Sequence, residues 1–316
     1  IVFGDWSSDV CSSDLNKQGA YYPEITPNGW NHYENVMIGR SILEYVERTA
    51  DTSIYQAGGL ETMLEIARFT VTEITHLGQL LQIVTRDPNY PLVDNEAKTN
   101  YLVHDFLQGF IDALEWIRTH EKDYYQSFSE KQDAKREIVT YKAAVKRLYL
   151  PKPNKSGVLP IFDGFSKQDH QKSLICPSVL DIFRLYPERF LSQHVKATFD
   201  YYVPLLEVQQ PLVRVISGII SHQYEFGRLG YEEFVTCLGI HKRNPMPPAS
   251  QINEEEVYAY LMVLEGFAGL RIHGMIGRVV SSLPSQINSI RFRIQHRNKV
   301  AFIKIFKDRG EWSWES

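Results

Sequence analysis

The run Tyr101-Leu102-Val103-His104-Asp105-Phe106-Leu107-Gln108-Gly109-Phe110-Ile111, continuing to Ile117, decides how this chain reads. Its apolar residues recur at three- and four-residue spacings, the period of a helix with a buried face. A His-Asp dipeptide sits inside it. Isolated histidines stand on either side at His76, His194 and His222, and an acid, Glu265, lies beyond. Imidazole nitrogen and carboxylate oxygen suit iron, manganese or zinc, and such an ion can turn bound water into hydroxide. The candidate metal set is His76, His104, Asp105, His194, His222 and Glu265, with His104 and Asp105 at the catalytic centre.

On these residues the chain resembles the HD superfamily of metal-dependent phosphohydrolases, within it the subgroup that carries a Gly-Tyr-Pro motif. The resemblance places His76 on a first helix, the His104-Asp105 pair on a second and His194 at the start of a later one. His222-Gln223, followed by Gly230-Tyr231-Glu232, stands for the double histidine and the Gly-Tyr-Pro motif, and Met262 to Phe267 for the last acidic helix. What it implies is an all-α, HD-like helical bundle, a divalent metal, and phosphodiesterase action on a nucleotide or cyclic dinucleotide. A catalytically inactive HD-like sensor or interaction module is the alternative.

The departures fall in the site. Phe106-Leu107-Gln108-Gly109 supplies no lysine after the His-Asp pair, Gln223 replaces a histidine, and Glu265 replaces an aspartate. An amide oxygen binds transition metals weakly beside imidazole. The expected site is degraded. A rival register, Gly58-Gly59-Leu60 with Met63-Leu64-Glu65-Ile66-Ala67, resembles other HD domains and lacks the first histidine altogether.

Residues 1–15, which include Trp6-Ser7-Ser8-Asp9-Val10-Cys11-Ser12-Ser13-Asp14, look like translated sequencing adapter and are set aside, so that an upstream regulatory domain is expected to be missing. Cys176 and Cys237 remain, with no CxxC spacing, as expected of a cytoplasmic protein. At 43% hydrophobic and 23% charged, the composition is that of a globular protein, and no apolar run approaches the length of a membrane helix. A net charge of -4 argues against nucleic acid as a partner.

The expected organisation is a helical lead-in over 16–58, an HD-like domain over 59–285 and a β-hairpin extension over 286–316. One helix is expected from Gly59 towards Thr85, ended by Asp87-Pro88-Asn89-Tyr90-Pro91, and a charge-laced helix from Glu130 to Leu148. Leu150 to Gly164 reads as an irregular loop and candidate lid, and Pro245 to Pro248 as a second excursion before an N-cap at Asn253. Ile290, Phe292 and Ile294 alternate with Arg291, Arg293 and Gln295, and Val300 to Phe306 is β-prone, so the segment reads as a hairpin turning at His296-Arg297-Asn298-Lys299. Arg291, Arg293 and Arg297 form a candidate anion site. Arg291 and His296 also match the Arg-x4-His spacing of HEPN-type ribonucleases, a second alternative that requires a helix there.

Overall fold

The computed structural model describes residues 32–315 except 86, 88, 133, 166–172, 208–209, 226–228 and 241–253. The adapter-like segment, Pro245 to Pro248 and the Asn253 cap lie outside the described residues. The helices are α1 (His32–Thr49), α2 (Leu60–Glu73), α3 (Ala97–His120), α4 (Lys122–Gln132), α5 (Ala134–Arg147), α6 (Ser178–Leu185), α7 (Ser192–Tyr202), α8 (Pro211–Gln223), α9 (Leu229–Ile240) and α10 (Glu254–Leu261), the last running into a π-helical turn over Met262–Phe267. Strands β1 (Ile83–Val84) and β2 (Leu92–Val93) form a small ladder between α2 and α3. After α10 come the hairpin β3 (Arg271–His273) and β4 (Ile276–Arg278) and the antiparallel sheet β5 (Ser289–His296), β6 (Lys299–Phe306) and β7 (Gly310–Trp314).

Helix α3 is the axis of this arrangement. Leu102, Val103, Phe106, Leu107, Phe110, Leu114 and Ile117 enter one core with α1, α2 and α5, while Ala97 and Tyr101 at its start enter a second core with α6, α7 and α8. A helix buried on nearly every side explains why its apolar residues outnumber a simple amphipathic stripe. Helix α1 crosses it closely: a Cβ on Gly39 would lie 2.2 Å from the Phe106 ring. Arg68 on α2 donates through Nε and Nη2 to Glu137 on α5, at 2.9 and 3.0 Å, and closes the first core.

The fold is not an all-α HD-like bundle with a terminal hairpin. The helix expected from Gly59 to Thr85 ends at Glu73, because Ile74 is extended (φ -75°, ψ 111°) and Thr75 to Gln79 close a turn. Gly78 makes that turn possible. Its φ is +82°, and an added Cβ would fall 1.8 Å from the Arg147 carbonyl oxygen. His76 is therefore an exposed turn residue and not a helical one.

The C-terminal segment pairs β5 with β6 about Arg297 and Asn298, whose φ of 48° and 58° suit a type I′ turn, and adds a third strand, β7. Ile290, Phe292 and Ile294 pack with Ile303, Ile305 and Trp312, and Arg291 and Arg293 face outward. Because Arg291 and His296 lie on a strand, the HEPN reading fails on its own geometric condition.

Candidate functional site

The polar run Asp94-Asn95-Glu96-Ala97-Lys98-Thr99-Asn100 opens α3, and beyond the exposed Asp94 its polar side chains are buried instead of solvated: Asn95 and Asn100 are 0% exposed, Thr99 2%, Glu96 5% and Lys98 8%. Each has work to do. Asn95, at φ 54°, accepts from Leu80 N–H (3.0 Å) and donates from Nδ2 to Asp163 Oδ2 (2.7 Å). Glu96 caps the helix, its Oε2 accepting from Thr99 N–H at 2.6 Å. Asn100 donates to the Tyr149 carbonyl at 2.9 Å. The loop from Leu150 to Gly164 is tied to this turn by Ala97 N–H to Ile161 O (2.8 Å), Asp163 N–H to Asp94 O (3.0 Å) and Tyr101 OH to Pro151 O (3.0 Å). It is a fixed wall, not a lid.

Between that wall and the β1–β2 turn lies a cleft of about 490 Å³, counting its solvent-facing mouth. Tyr33 of α1, Thr85, Asp87 and Tyr90 of the turn, Glu96, Lys98 and Thr99 of α3, Phe162 of the wall, and Cys176 and Ser178 before α6 line it. The Tyr90 and Phe162 rings stand 5.2 Å apart, and together they give this side of the cleft an aromatic surface. Asp87 is a structural acid here. Its Oδ1 accepts from Asn89 N–H (3.0 Å) and its Oδ2 from Ile175 N–H (2.8 Å) and Cys176 N–H (3.4 Å), fastening the turn to the segment before α6.

Lys98 Nζ sits 2.8 Å from Asp181 Oδ2 and donates to Tyr33 OH at 3.2 Å. Burial pulls the lysine pKa down, but the Asp181 charge outweighs it and holds the group protonated. Burial likewise penalises ionised Asp181, and Lys98 and Arg184 together reverse the effect, keeping its carboxyl well below the usual range. Arg184 Nη1 then reaches Glu265 at 3.1 Å, and Arg271 lies 3.6 Å from the same acid. A chain of alternating charge thus runs from Tyr33 at the cleft to the start of the C-terminal sheets. Burial pushes the neighbouring Cys176 thiol up to about 11, so it is a neutral wall residue at ordinary pH. Glu96 and Asn100 each keep one unpartnered oxygen, and only Glu96 lines the cleft. Its Oε1 is buried with no hydrogen-bond partner among the described residues.

The six residues expected to hold a metal do not assemble. Among the described residues no group of three histidine, cysteine, aspartate or glutamate side chains could hold an ion. Glu265 is occupied by Arg184 and Arg271, and Asp105 pairs with Arg40 Nε at 3.2 Å. Burial, then the charge of Arg189, lowers the His104 pKa, and its Nδ1 is buried without a partner. His222 Nδ1 is 2.7 Å from Ser282 Oγ, which itself donates to the His222 carbonyl, so His222 holds the chain after β4. His194 lies near the start of α7 and His76 on an exposed turn. The three arginines expected to bind an anion are partly engaged as well: Arg293 pairs with Glu315 at 2.9 Å and Arg297 donates to the Glu47 carbonyl at 2.7 Å.

Sequence reasoning missed Glu96, Lys98 and Asp181. A signal was present, because six polar residues broken only by Ala97, from Asp94 to Asn100, lead into the longest described helix, whose later turns are largely apolar. Polar side chains in the first turn of a buried helix must themselves be buried, and so must be partnered or functional.

Residues 6–174, just over half the chain and most of the cleft lining, match the model of the glycosyl hydrolase family 65 central catalytic domain. The chain belongs to glycosyl hydrolase family 65. Similar proteins include the alpha,alpha-trehalose phosphorylase of Thermoanaerobacter brockii, 24% identical over 94% of this chain and 44% of its own length. The kojibiose phosphorylase of Halothermothrix orenii is 28% identical over 86% of this chain and 39% of its own length. A solved structure of a human-microbiome protein assigned as a kojibiose phosphorylase superposes with a TM-score of 0.72 at 17% identity, covering 89% of this chain and 46% of that one. The fold of this family 65 chain is therefore the mixed, α/α-barrel-like one of that neighbour. The chain spans less than half the length of these relatives.

Family 65 membership overturns the HD superfamily, the phosphohydrolase and both alternatives. The relatives are named for phosphorolysis of sugars, not for nucleotide hydrolysis. The resemblance failed because His-Asp and lone histidines recur by chance on helices, and their order along a chain says nothing of their distance in space. No described helix is long and apolar enough to cross a membrane.

Proposed function

We propose that this family 65 chain is part of a disaccharide phosphorylase, cleaving an α-glucosidic bond with inorganic phosphate. In that reaction the bond from C1 to the glycosidic oxygen breaks, a phosphate oxygen bonds to C1, and the leaving oxygen takes a proton. The products are glucose 1-phosphate and a free sugar or polyol.

One observation carries the reading: the family match spans α1 to the segment before α6, and so takes in nearly all of the cleft, while similar proteins acting on trehalose, kojibiose, nigerose and maltose are all phosphorylases. The cleft supports a sugar better than a nucleotide. It combines an aromatic pair, Tyr90 and Phe162, with a buried acceptor at Glu96 and a cation, Lys98, already neutralised by Asp181.

The test is to incubate the purified protein with phosphate and each of trehalose, kojibiose, nigerose and maltose, and to assay glucose 1-phosphate. Formation from at least one disaccharide, dependent on phosphate, is the expected result. Sugar binding with no product from any of the four would overturn the enzymatic reading and leave a carbohydrate-binding protein on a family 65 scaffold.

A further inference from the structure

We propose that Glu96 is the residue that selects the sugar in this cleft, its Oε1 accepting a hydrogen bond from one ring hydroxyl while Lys98 Nζ donates to the same or the adjacent hydroxyl. The inference rests on the sugar reading above and names the groups that recognise the ring.

Three observations converge on it. Glu96 lines the cleft and is 5% exposed, yet only one of its two carboxylate oxygens is used, in the cap to Thr99. An ionised carboxylate is an acceptor only, and leaving a buried acceptor unpaired is costly, so Oε1 is a site that calls for an O–H or N–H donor. It has almost no contact with water, so a ligand hydroxyl that reaches it, once the carboxylate turns toward the cleft, meets an acceptor with no water to displace.

Lys98 supplies the complementary group. An ammonium has three N–H donors, and the contacts to Asp181 and Tyr33 account for two. Lys98 lines the same cleft as Glu96, and a hydroxyl both donates and accepts, so the ring's hydroxyls can use an acceptor at one place on the wall and a donor at another.

Charge points the same way. Among the described residues of the cleft wall the carboxylates are Glu96 and Asp87 and the ammonium is Lys98, which is balanced by Asp181 behind it. Against these groups an anion such as phosphate would meet two carboxylates and a cation that is already paired, whereas a neutral polyol pays no such penalty. This balance suits a sugar ring better than phosphate.

The experiment measures binding of glucose and its 2-, 3-, 4- and 6-deoxy forms, and of trehalose, to the full chain by titration calorimetry or ligand-observed NMR, for the wild type and Glu96→Gln. The amide oxygen of glutamine can still cap Thr99, so the fold is expected to survive. Should Glu96→Gln melt early, Glu96→Asp keeps the charge but withdraws it by one methylene and serves in its place. Glu96→Gln is expected to weaken glucose about tenfold or more, the difference typical of a hydrogen bond to a charged group. One deoxyglucose should show a similar loss on the wild type, and the two losses should not add, because they remove the same contact. Unchanged affinity of Glu96→Gln for every sugar that the wild type binds, or strictly additive losses, would overturn the assignment while leaving the phosphorylase reading intact. A wild type that binds none of these sugars would overturn both. Inorganic phosphate alone should not compete with glucose, and competition at this cleft would also count against the proposal.

Discussion

Lys98 Nζ and Asp181 Oδ2 stand 2.8 Å apart with side chains 10% and 9% exposed, joining the first turn of α3 to α6 between the cleft and the Arg184–Glu265 pair. Buried pairs of this kind lose as much in desolvation as they gain in attraction, so they are poor evidence of net stability. Breaking one by removing a single partner is another matter, since a bare charge is left behind.

Lys98→Met is therefore expected to destabilise the protein by about 3 kcal/mol in urea denaturation, because Asp181 keeps Arg184 as a partner. Asp181→Leu strands Lys98 and takes from Arg184 one of its two acidic partners, leaving Glu265, and should cost more, towards ~5 kcal/mol. An Asp181→Leu protein as stable as Lys98→Met would show that the Arg184 contact carries no part of the network.

Acid should destabilise the fold through its buried histidines. His32 is 0% exposed and lies against Phe69 with ring centroids 5.4 Å apart, and burial pushes its pKa down to about 4. The unfolded chain binds this proton near the ordinary histidine pKa of 6.5, so between pH 6.5 and 4 the unfolded state carries more protons and stability falls as pH falls. Below pH 4 the loss levels off at about 3 kcal/mol for this residue. His104 and His222, also lowered chiefly by burial, add to the same limb. Denaturation of His32→Phe across this range should show a shallower acid slope than the wild type, and an identical slope would remove His32 from the account.

Metal should make no difference to the residues around α3. Asp105 and Glu265 are already bound to arginines, and no described triad of ligands converges. Adding manganese or zinc, or dialysing against EDTA, is expected to leave the melting temperature unchanged. A specific, stoichiometric metal-dependent rise that Asp105→Ala abolishes would restore the metal reading of the His-Asp pair, since a ligand binding only the native state raises its stability by mass action.

Local features were determined by the sequence alone: the helical period of α3, the irregular stretch from Leu150 to Gly164, and the period-two alternation of Ile290, Phe292 and Ile294 about an Asn-containing turn. Each is set by interactions between near neighbours, where spacing translates directly into a face of a helix or strand. Where α2 ends was beyond it, because the cause is Gly78 lying against the backbone of Arg147, 69 residues along the chain. Only the tertiary structure decided the site. His104 and Asp105 are conspicuous as letters, but Asp105 finds Arg40, and His104 is buried beside Arg189. Glu96 and Lys98 look like an ordinary polar helix start until the Ile161 wall, the β1–β2 turn and Asp181 close over them. What a polar side chain does depends on the groups that reach it from distant parts of the chain, and those meetings are fixed by packing, not by spacing along the sequence.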